Sequence, residues 1–365
     1  MTTQSNGESL ASFLKETSSQ SHLRVEADLG DGFVRLKLSE AEKRQAAQDI
    51  QSNEDIVIEL LRNSRDAGAR NIYLAYQKEG DTRVLLVIDD GCGIPDAMHE
   101  RIFEPRVTSK LDTAHMDKWG MHGRGMALYS ISVHSKTHRV VCSQVGKGSS
   151  LLFETDASKL PEKADQSTFP RFEVQDNGTH AMRGPKNILR TAAEFALEHR
   201  HDCAVYCGSF TEIAATLYSC GMKSTTPSQR AFGNPDSYDN YAQMLAFAAD
   251  PEDLARLLAS LGLEVSERTC RRILDGEIQP VPTLFERLQS ESFEKKQVKT
   301  ADDKPLRTDA RGLKLAQEDV DSFTEAVSRA YREIASKYYL EEDVKPRVSV
   351  CGTHIKVNIP LEKMR

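Results

Sequence analysis

The chain lacks any run of about 18 consecutive apolar residues, the length that a membrane-spanning helix needs. Its first 20 residues lack the basic start and apolar core of a secretory signal. Cysteine is sparse: the 7 thiols are odd in number and scattered along 365 residues. We therefore expect a cytoplasmic protein with reduced thiols and no membrane contact. No internal repeat is visible, and 39% hydrophobic and 28% charged residues are typical of a soluble globular protein.

An excess of basic charge is also missing. The 48 Lys and Arg residues are outnumbered by 55 Asp and Glu residues, for a formal net charge of -7. This excludes a globally basic nucleic-acid-binding surface, although a local basic patch remains compatible with it. The length of 365 residues allows two domains, or one large domain with an added module.

Hydrophobic periodicity separates an N-terminal α/β part from a mainly helical part. We predict a flexible tail over residues 1–22 and a hairpin over residues 23–38. A helix follows, with Ser39 as its N-cap and Glu42 at the third position after it, as in a capping box. The order of elements suits a two-layer α+β sandwich, in which helices cover one face of a mixed sheet. The further predicted elements are a helix over 39–67 with a break near 52–53, strands over 71–77, 83–89, 139–144 and 150–154, and a helix over 125–134.

The second part of the chain changes in composition. Residues 158–190 are rich in Pro, Gly, Asp and Lys, which is typical of a connector. We therefore predict one α/β domain over residues 23–157, and a mainly helical domain over residues 191–365. A strand or hairpin is expected near its end, over residues 346–360.

A polar stripe marks the first long helix. Glu59 and Asn63 are four residues apart and Asp66 is three further on, so all three project from one helical face. Taken alone, such a stripe is equally typical of a solvated surface.

Two glycine-containing segments follow the stripe. Asp89 ends a dense apolar strand and is followed by Gly91 and Gly93, which let the backbone bend closely against a flat ligand. Gly120, Gly123 and Gly125 then precede a helix, where free amides and the helix dipole favour phosphate. An Asp-Gly turn alone is common, but the three segments in this order on these elements form a specific signal.

The three segments resemble the N box and the two glycine boxes of the GHKL ATPases (gyrase, heat-shock chaperone, histidine kinase and MutL). Residues 59–69 are similar to MutL-type repair ATPases and topoisomerase VI B subunits, as is the motif Thr108-Ser109-Lys110. Residues 120–131 resemble MutL and gyrase B, and Gly148-Ser149 resembles the strand behind the adenine in these proteins. The resemblance covers about residues 50–155 and implies a Bergerat-type sandwich that binds ATP and Mg²⁺.

The resemblance also implies a role for each matching residue. Glu59 would be the general base that orients the attacking water, and Asn63 would bind Mg²⁺. Asp89 would accept a hydrogen bond from the adenine amino group, Asp66 would support this end of the pocket, and Ser149 would hold a water beside adenine. The remaining implied ATP-binding residues are Gly91 and Gly93 near the base, Thr108, Ser109 and Lys110 in the lid, and Gly120, Gly123, Arg124 and Gly125 near the phosphates.

The expected function is a switch in which Mg-ATP binding closes a lid over residues 103–122 and drives a conformational change or homodimerisation. Arg62 departs from the related sequences, in which an acidic or small residue is expected at this position. A cation beside the base could pair with Glu59 or Asp66 and slow hydrolysis. Binding is thus a firmer expectation than turnover. The alternatives are a DNA-transaction subunit and a kinase-like or chaperone-like regulator. Residues 101–105 (RIFEP) resemble a histidine-kinase phrase, but no phosphoacceptor helix pair precedes the domain.

Three weaker features have a simpler interpretation beside the functional one. Residues 251–280 have the outline of a helix-turn-helix that contacts DNA or a protein, but acidic residues dilute its arginines and favour a plain helical hairpin. His199, His201, Cys203 and Cys207 resemble zinc ligands, yet a strand would spread them over roughly 25 Å. Lys356 is a candidate for a lysine that reaches the γ-phosphate from a second domain.

Overall fold

The computed structural model describes residues 25–109, 115–117, 120–122, 125–174, 180–232, 237–297, 317–338, 340–351 and 354–360. Contacts along the chain divide it into two compact units, Met1–Glu294 and Lys295–Arg365. None of the described helices is both long and apolar enough to cross a bilayer.

A small sheet lies at the start of the first unit. β1 (Val25–Gly30) and β2 (Phe33–Leu36) form the antiparallel hairpin that the sequence predicts. β5 (Val107–Thr108) pairs with the free edge of β2, where Val34 lies opposite Thr108. The chain around Thr108 is therefore hydrogen-bonded to the N-terminal hairpin.

Two helices follow, α1 (Glu40–Asp49) and α2 (Asn53–Asp66), which confirms the predicted break. Ser52 causes it, because its backbone is extended at φ -151° and its hydroxyl accepts a hydrogen bond of 3.3 Å from the Asp55 amide. This side chain caps the N-terminus of α2. The buried apolar residues of α2 are Ile56, Val57, Ile58, Leu60 and Leu61.

The main sheet contains β3 (Asn71–Glu79), β4 (Thr82–Asp89), β8 (Ser135–Gln144), β9 (Gly148–Asp156) and β12 (Ala204–Gly208). Their order across the sheet is β12-β3-β4-β9-β8. β12 pairs with β3 in parallel and the other neighbours are antiparallel, so the sheet is mixed, as predicted. Between β5 and β8 lie a short antiparallel pair, β6 (His115–Asp117) with β7 (Gly120–His122), and α3 (Ala127–His134).

Both faces of the main sheet are covered. In β4, Leu85 and Val87 pack against α2, whereas Leu86 and Ile88 pack against the helices that follow β12. Burial on both faces explains why β4 is a continuous apolar run instead of an alternating one. The predicted α+β sandwich with a helical region after it is confirmed, and that region covers the second face. The helices after α3 are α4 (Ile188–Glu198), α5 (Phe210–Ser224), α6 (Pro227–Phe232), α7 (Tyr241–Leu245), α8 (Pro251–Ser260), α9 (Glu267–Leu274) and α10 (Leu284–Gln297).

The boundaries predicted at residues 157 and 190 lie inside the first unit. β12 continues the main sheet, and Phe195 of α4 is fully buried in the same core as α2. The predicted connector contains β10 (Arg171–Val174) and β11 (His180–Arg183), which pair with each other. Glu162 fastens this segment to the sheet, because its carboxylate accepts hydrogen bonds from Arg83 Nε at 2.7 Å and Lys78 Nζ at 2.8 Å.

The second unit contains α11 (Gln317–Tyr338) and an antiparallel hairpin of β13 (Arg347–Cys351) and β14 (His354–Asn358). The hairpin lies where the sequence predicts one. Tyr331 and Ala335 of α11 are buried within this unit. Lys356 lies on β14 and is exposed.

Candidate functional site

A cavity of about 570 Å³ lies between α2 and the ends of β4 and β9. Its size is within the usual range for a small-molecule site. Acidic groups outnumber basic ones in the described lining, so a polyphosphate would be held best together with a cation. The acidic residues of the lining are Asp49, Asp55, Glu59, Asp66 and Asp89, and the basic residues are Arg62 and Arg106.

Asp89 lies at the floor of the cavity and is only 4% exposed. Its Oδ2 accepts hydrogen bonds from the Ser149 hydroxyl at 2.7 Å and the Ser64 hydroxyl at 3.0 Å, and its Oδ1 accepts one from the Gly91 amide at 2.9 Å. Burial raises the pKa of this carboxyl, while the three donors oppose that shift. Three elements, α2, β4 and β9, thus position one carboxyl group.

The neighbouring Asp90 has a different environment. Its Oδ1 accepts hydrogen bonds from the amides of Arg70 and Asn71, at 2.7 Å and 2.8 Å, and its Oδ2 accepts one from the Asn71 side chain. These bonds hold the entry to β3. Asp89 is therefore the aspartate of this pair whose side chain is available to a ligand in the cavity.

The loop after Asp89 packs closely against two other segments. Gly93 has a φ of +73°, and a Cβ there would lie 2.0 Å from the Gln144 carbonyl oxygen. The Cys92 amide donates to the Ala67 carbonyl at 2.9 Å, and the Gly146 amide donates to the Cys92 carbonyl at 2.8 Å. The loop is held between the C-terminus of α2 and the β8–β9 turn, so the glycine serves protein packing in addition to any approach to a ligand.

The three stripe residues of α2 all line the cavity. Glu59 forms an ion pair with Arg62, whose side chain is only 3% exposed. Asp66 forms an ion pair with Arg65 at 2.6 Å. The Asn63 amide nitrogen is buried and meets no hydrogen-bond acceptor among the described residues. Asn63 therefore has hydrogen-bonding capacity that a ligand would satisfy.

Sequence reasoning missed Ser64 as a site residue. Ser64 does not belong to the stripe of Glu59, Asn63 and Asp66, yet its hydroxyl reaches Asp89 and its side chain is buried. The signal that could have identified Ser64 is a small hydroxyl on the sheet-facing side of a helix that ends near a strand-terminal aspartate.

Thr108, Ser109 and Gly125 also line the cavity. The Gly125 carbonyl accepts a hydrogen bond of 2.9 Å from the Arg106 amide, which joins the start of α3 to β5. Gly120 lies in β7 and is paired with Asp117. The predicted residues Lys110, Gly123 and Arg124 lie outside the described residues.

The histidine and cysteine cluster takes up other contacts. Cys203 and Cys207 are buried in or beside β12, and burial raises the pKa of Cys203 to about 11. His199 is 2.9 Å from Arg65 Nη1 and 3.2 Å from Asp202. Across the described part of the chain, no group of three or more His, Cys, Asp or Glu side chains is arranged to hold a metal ion.

The family described as histidine kinase-, DNA gyrase B- and HSP90-like ATPase matches residues 50–183 of the chain. That stretch contains α2, β4, β9 and the three residues that donate hydrogen bonds to Asp89. Residues 50–183 belong to the GHKL superfamily. They form a GHKL-type ATP-binding domain, termed the GHKL domain below.

Proteins named DNA mismatch repair protein MutL are similar to this chain. One from Clostridium perfringens is 30% identical over 165 residues, which is 44% of this chain and 24% of the relative. One from Clostridium botulinum is 38% identical over 104 residues, 28% of this chain and 16% of the relative. One from Staphylococcus aureus is 32% identical over 139 residues, 36% of this chain and 20% of the relative. The chain thus spans at most about a quarter of the length of these relatives, which are of the MutL type.

Proposed function

We propose that Mg-ATP binds in the cavity between α2 and β4, and that its binding drives a conformational or dimerisation switch accompanied by slow hydrolysis. The observation that carries this proposal is the Asp89 carboxyl, buried at the cavity floor and held by Ser64, Ser149 and the Gly91 amide.

Asp89 would recognise adenine. A buried carboxylate accepts a hydrogen bond from the adenine amino group, whereas guanine presents a carbonyl oxygen at the same place and would leave two acceptors facing each other. Ser149 adds a hydroxyl on the same side of the cavity. The site would therefore prefer ATP over GTP.

Asn63 would contribute to holding Mg²⁺ and the phosphates. Mg²⁺ takes oxygen ligands and usually binds through one or two protein groups together with substrate phosphates. The acidic lining fits such a site. The buried Asn63 amide nitrogen would donate a hydrogen bond to a phosphate oxygen. The bound ion would neutralise phosphate charge, and Thr108, Ser109 and Gly125 lie on the side of the cavity available to the phosphates.

Glu59 would act as the general base, with Arg62 slowing the reaction. A base must accept a proton from water, but the Glu59 carboxylate already contacts a buried guanidinium. Hydrolysis then requires that Arg62 release Glu59 or share it with the water. This favours a protein that stays in the ATP-bound state for a long time.

The route for the switch would run through β5. Thr108 lines the cavity and is also paired with Val34 of the N-terminal hairpin. Phe33, at the turn of that hairpin, lines the cavity as well. A nucleotide that orders Thr108 and Ser109 would therefore act directly on the hairpin, a segment suited to exchange contacts with a second copy of the chain.

Isothermal titration calorimetry with Mg-ATP tests the site through Asp89→Asn. We expect ATP affinity to fall by about 10- to 100-fold or more, because a charge-assisted hydrogen bond worth roughly 1.5–3 kcal/mol is lost. Asp250→Asn is the matched control, since Asp250 caps α8 and Asn caps helices equally well. Unchanged ATP affinity in Asp89→Asn would show that the adenine lies elsewhere.

A role in a DNA transaction is the second candidate function. It is favoured by the similarity of the GHKL domain to proteins named for DNA mismatch repair. Residues 251–280 are the candidate region for a DNA or protein partner.

A further inference from the structure

α8 and α9 form a helical pair whose joint is buried against the main sheet. Gly262, in the turn between them, has a φ of +84°, and a Cβ there would lie 3.2 Å from Leu86 and 3.3 Å from Val141. The Ser150 hydroxyl donates a hydrogen bond of 2.7 Å to the Leu261 carbonyl. The turn is thus fixed on β4, β8 and β9, and the pair is held rigidly by the GHKL domain.

Both helices contribute buried residues to the core on one face of the main sheet. Leu254 and Leu258 of α8 are four residues apart and fully buried, and Cys270 and Ile273 of α9 are 0% and 4% exposed. Ser266 caps α9 by accepting a hydrogen bond of 3.3 Å from the Thr269 amide. Six residues that include the glycine turn connect the two helices, and the helices share a core, which is the outline of a helix-turn-helix.

α9 presents arginines on the face opposite its buried residues. Arg268, Arg271 and Arg272 are at positions i, i+3 and i+4 and are all exposed. At about 100° per residue their mean direction is close to 180° from that of Cys270 and Ile273. Arg272 is paired with Glu277 at 3.1 Å, while Arg268 and Arg271 form no ion pair with a described residue.

Four acidic residues lie at the two ends of this face. Glu264 and Glu267 are on its N-terminal side, and Asp275 and Glu277 are on its C-terminal side. Such flanking charge disfavours non-specific attraction to any polyanion, because phosphate far from the arginines would be repelled. It is compatible with a partner that meets the centre of α9 in one orientation.

We propose that α9 is a recognition helix that enters the major groove of duplex DNA, with Arg268 and Arg271 contacting base edges or phosphates. An α-helix with its side chains is about 10–12 Å across, which fits a major groove about 12 Å wide. Arginine is the residue best suited to bidentate contact with guanine and with phosphate. This inference rests on the second candidate function, which it makes specific, and does not require that ATP bind.

Fluorescence anisotropy of the full chain with a labelled mixed-sequence duplex of 24 base pairs tests the proposal between 50 and 200 mM salt. The wild type should bind, and its affinity should fall with salt. The double variant Arg268→Ala with Arg271→Ala should bind the duplex at least tenfold more weakly. The slope of log affinity against log salt concentration should become shallower by about 2, or about 1 per lost phosphate contact. Selection from a random duplex pool then identifies any preferred site.

Arg171→Ala with Arg200→Ala is the charge-matched control, since both of these arginines are exposed and lie outside residues 251–280. It should leave binding unchanged. Arg268→Lys with Arg271→Lys should keep most of the salt slope but lose preference for the selected site, because lysine lacks the bidentate geometry. The melting temperature and ATP affinity of all three variants should equal those of the wild type.

Three results would overturn the proposal. They are the absence of duplex binding by the wild type at 50 mM salt, equal weakening in the α9 variant and its control, and tighter binding to single-stranded than to duplex DNA. In each case the ATP titration of the same samples reports separately on the GHKL domain, so the two proposals fail independently.

Discussion

Glu59 and Arg62 form an ion pair at the wall of the cavity. The helix stripe of Glu59, Asn63 and Asp66 follows from spacing alone, and all three do line the cavity. The partner of each carboxylate does not follow from spacing, because Arg62 and Arg65 can each reach several acids. The structure pairs Arg62 with Glu59 and Arg65 with Asp66.

Substitution at these two positions separates binding from turnover. Glu59→Gln should keep ATP affinity within about threefold and lower the hydrolysis rate by about 100-fold or more, the usual contribution of a general base. Arg62→Met should raise the rate by about 3- to 10-fold, or about 1 kcal/mol, because Glu59 then meets water instead of a guanidinium. Phosphate release under saturating Mg-ATP measures both rates.

The opposite result for Arg62 is informative as well. If Arg62→Met lowers turnover as strongly as Glu59→Gln does, then the guanidinium stabilises the transferred phosphate and does not restrain the base. A melting curve of each variant serves as the folding control, since Arg62 is buried.

At the scale of elements, the β8–β9 turn determines where Asp89 lies. β9 begins at Gly148, where φ is +104° and a Cβ would lie 1.9 Å from the Asp89 carbonyl oxygen. Gly146, two residues earlier, has a similar φ of +81° but open space around its Cα. The two glycines therefore differ in packing and agree in backbone conformation.

Alanine variants of the two glycines should separate the cost of backbone strain from the cost of a steric clash of the added Cβ. Gly146→Ala should lower the free energy of unfolding by about 1–2 kcal/mol, the cost of a left-handed conformation for a residue with a Cβ. Gly148→Ala should cost a further ~1–3 kcal/mol from overpacking and also weaken ATP binding, because Asp89 must move. Urea denaturation and calorimetry measure the two effects; equal values for both variants would contradict this account.

At the scale of the whole molecule, the helical region after residue 190 is part of the first unit. β12 completes the main sheet, and α5, α7, α8 and α9 cover the face that α2 and α4 do not. The dipeptide Ser149-Ser150 joins the layers, since Ser149 contacts Asp89 and Ser150 contacts Leu261 in the turn after α8.

Shortened chains test this organisation. Residues 1–297 should fold cooperatively and bind Mg-ATP within about twofold of the full chain, because the described lining of the cavity lies between Phe33 and Leu151. Residues 1–190 should not fold cooperatively, because that chain loses β12 and most of α4 and exposes both cores. Circular dichroism melting and calorimetry distinguish the two; cooperative folding of residues 1–190 would place the domain boundary there.

Local pattern was sufficient to predict most elements of the main sheet and several residues that line the cavity. Period-2 and period-3.6 spacing identified β3, β4, α2 and α3, and the order of Glu59, Asn63, Asp89 and the glycines indicated a GHKL-type site. These signals are local because each depends on residues of one helix, strand or loop.

Packing decided what local pattern leaves open. A continuous apolar strand such as β4 shows that both faces are buried but not which segments bury them, and here helices more than 100 residues away cover one face. Ser64 became a site residue because α2 turns it toward Asp89, and Arg62 became the partner of Glu59 because both lie at the cavity wall. Such contacts join residues that are distant in sequence or equivalent in spacing, so only the folded chain selects among them.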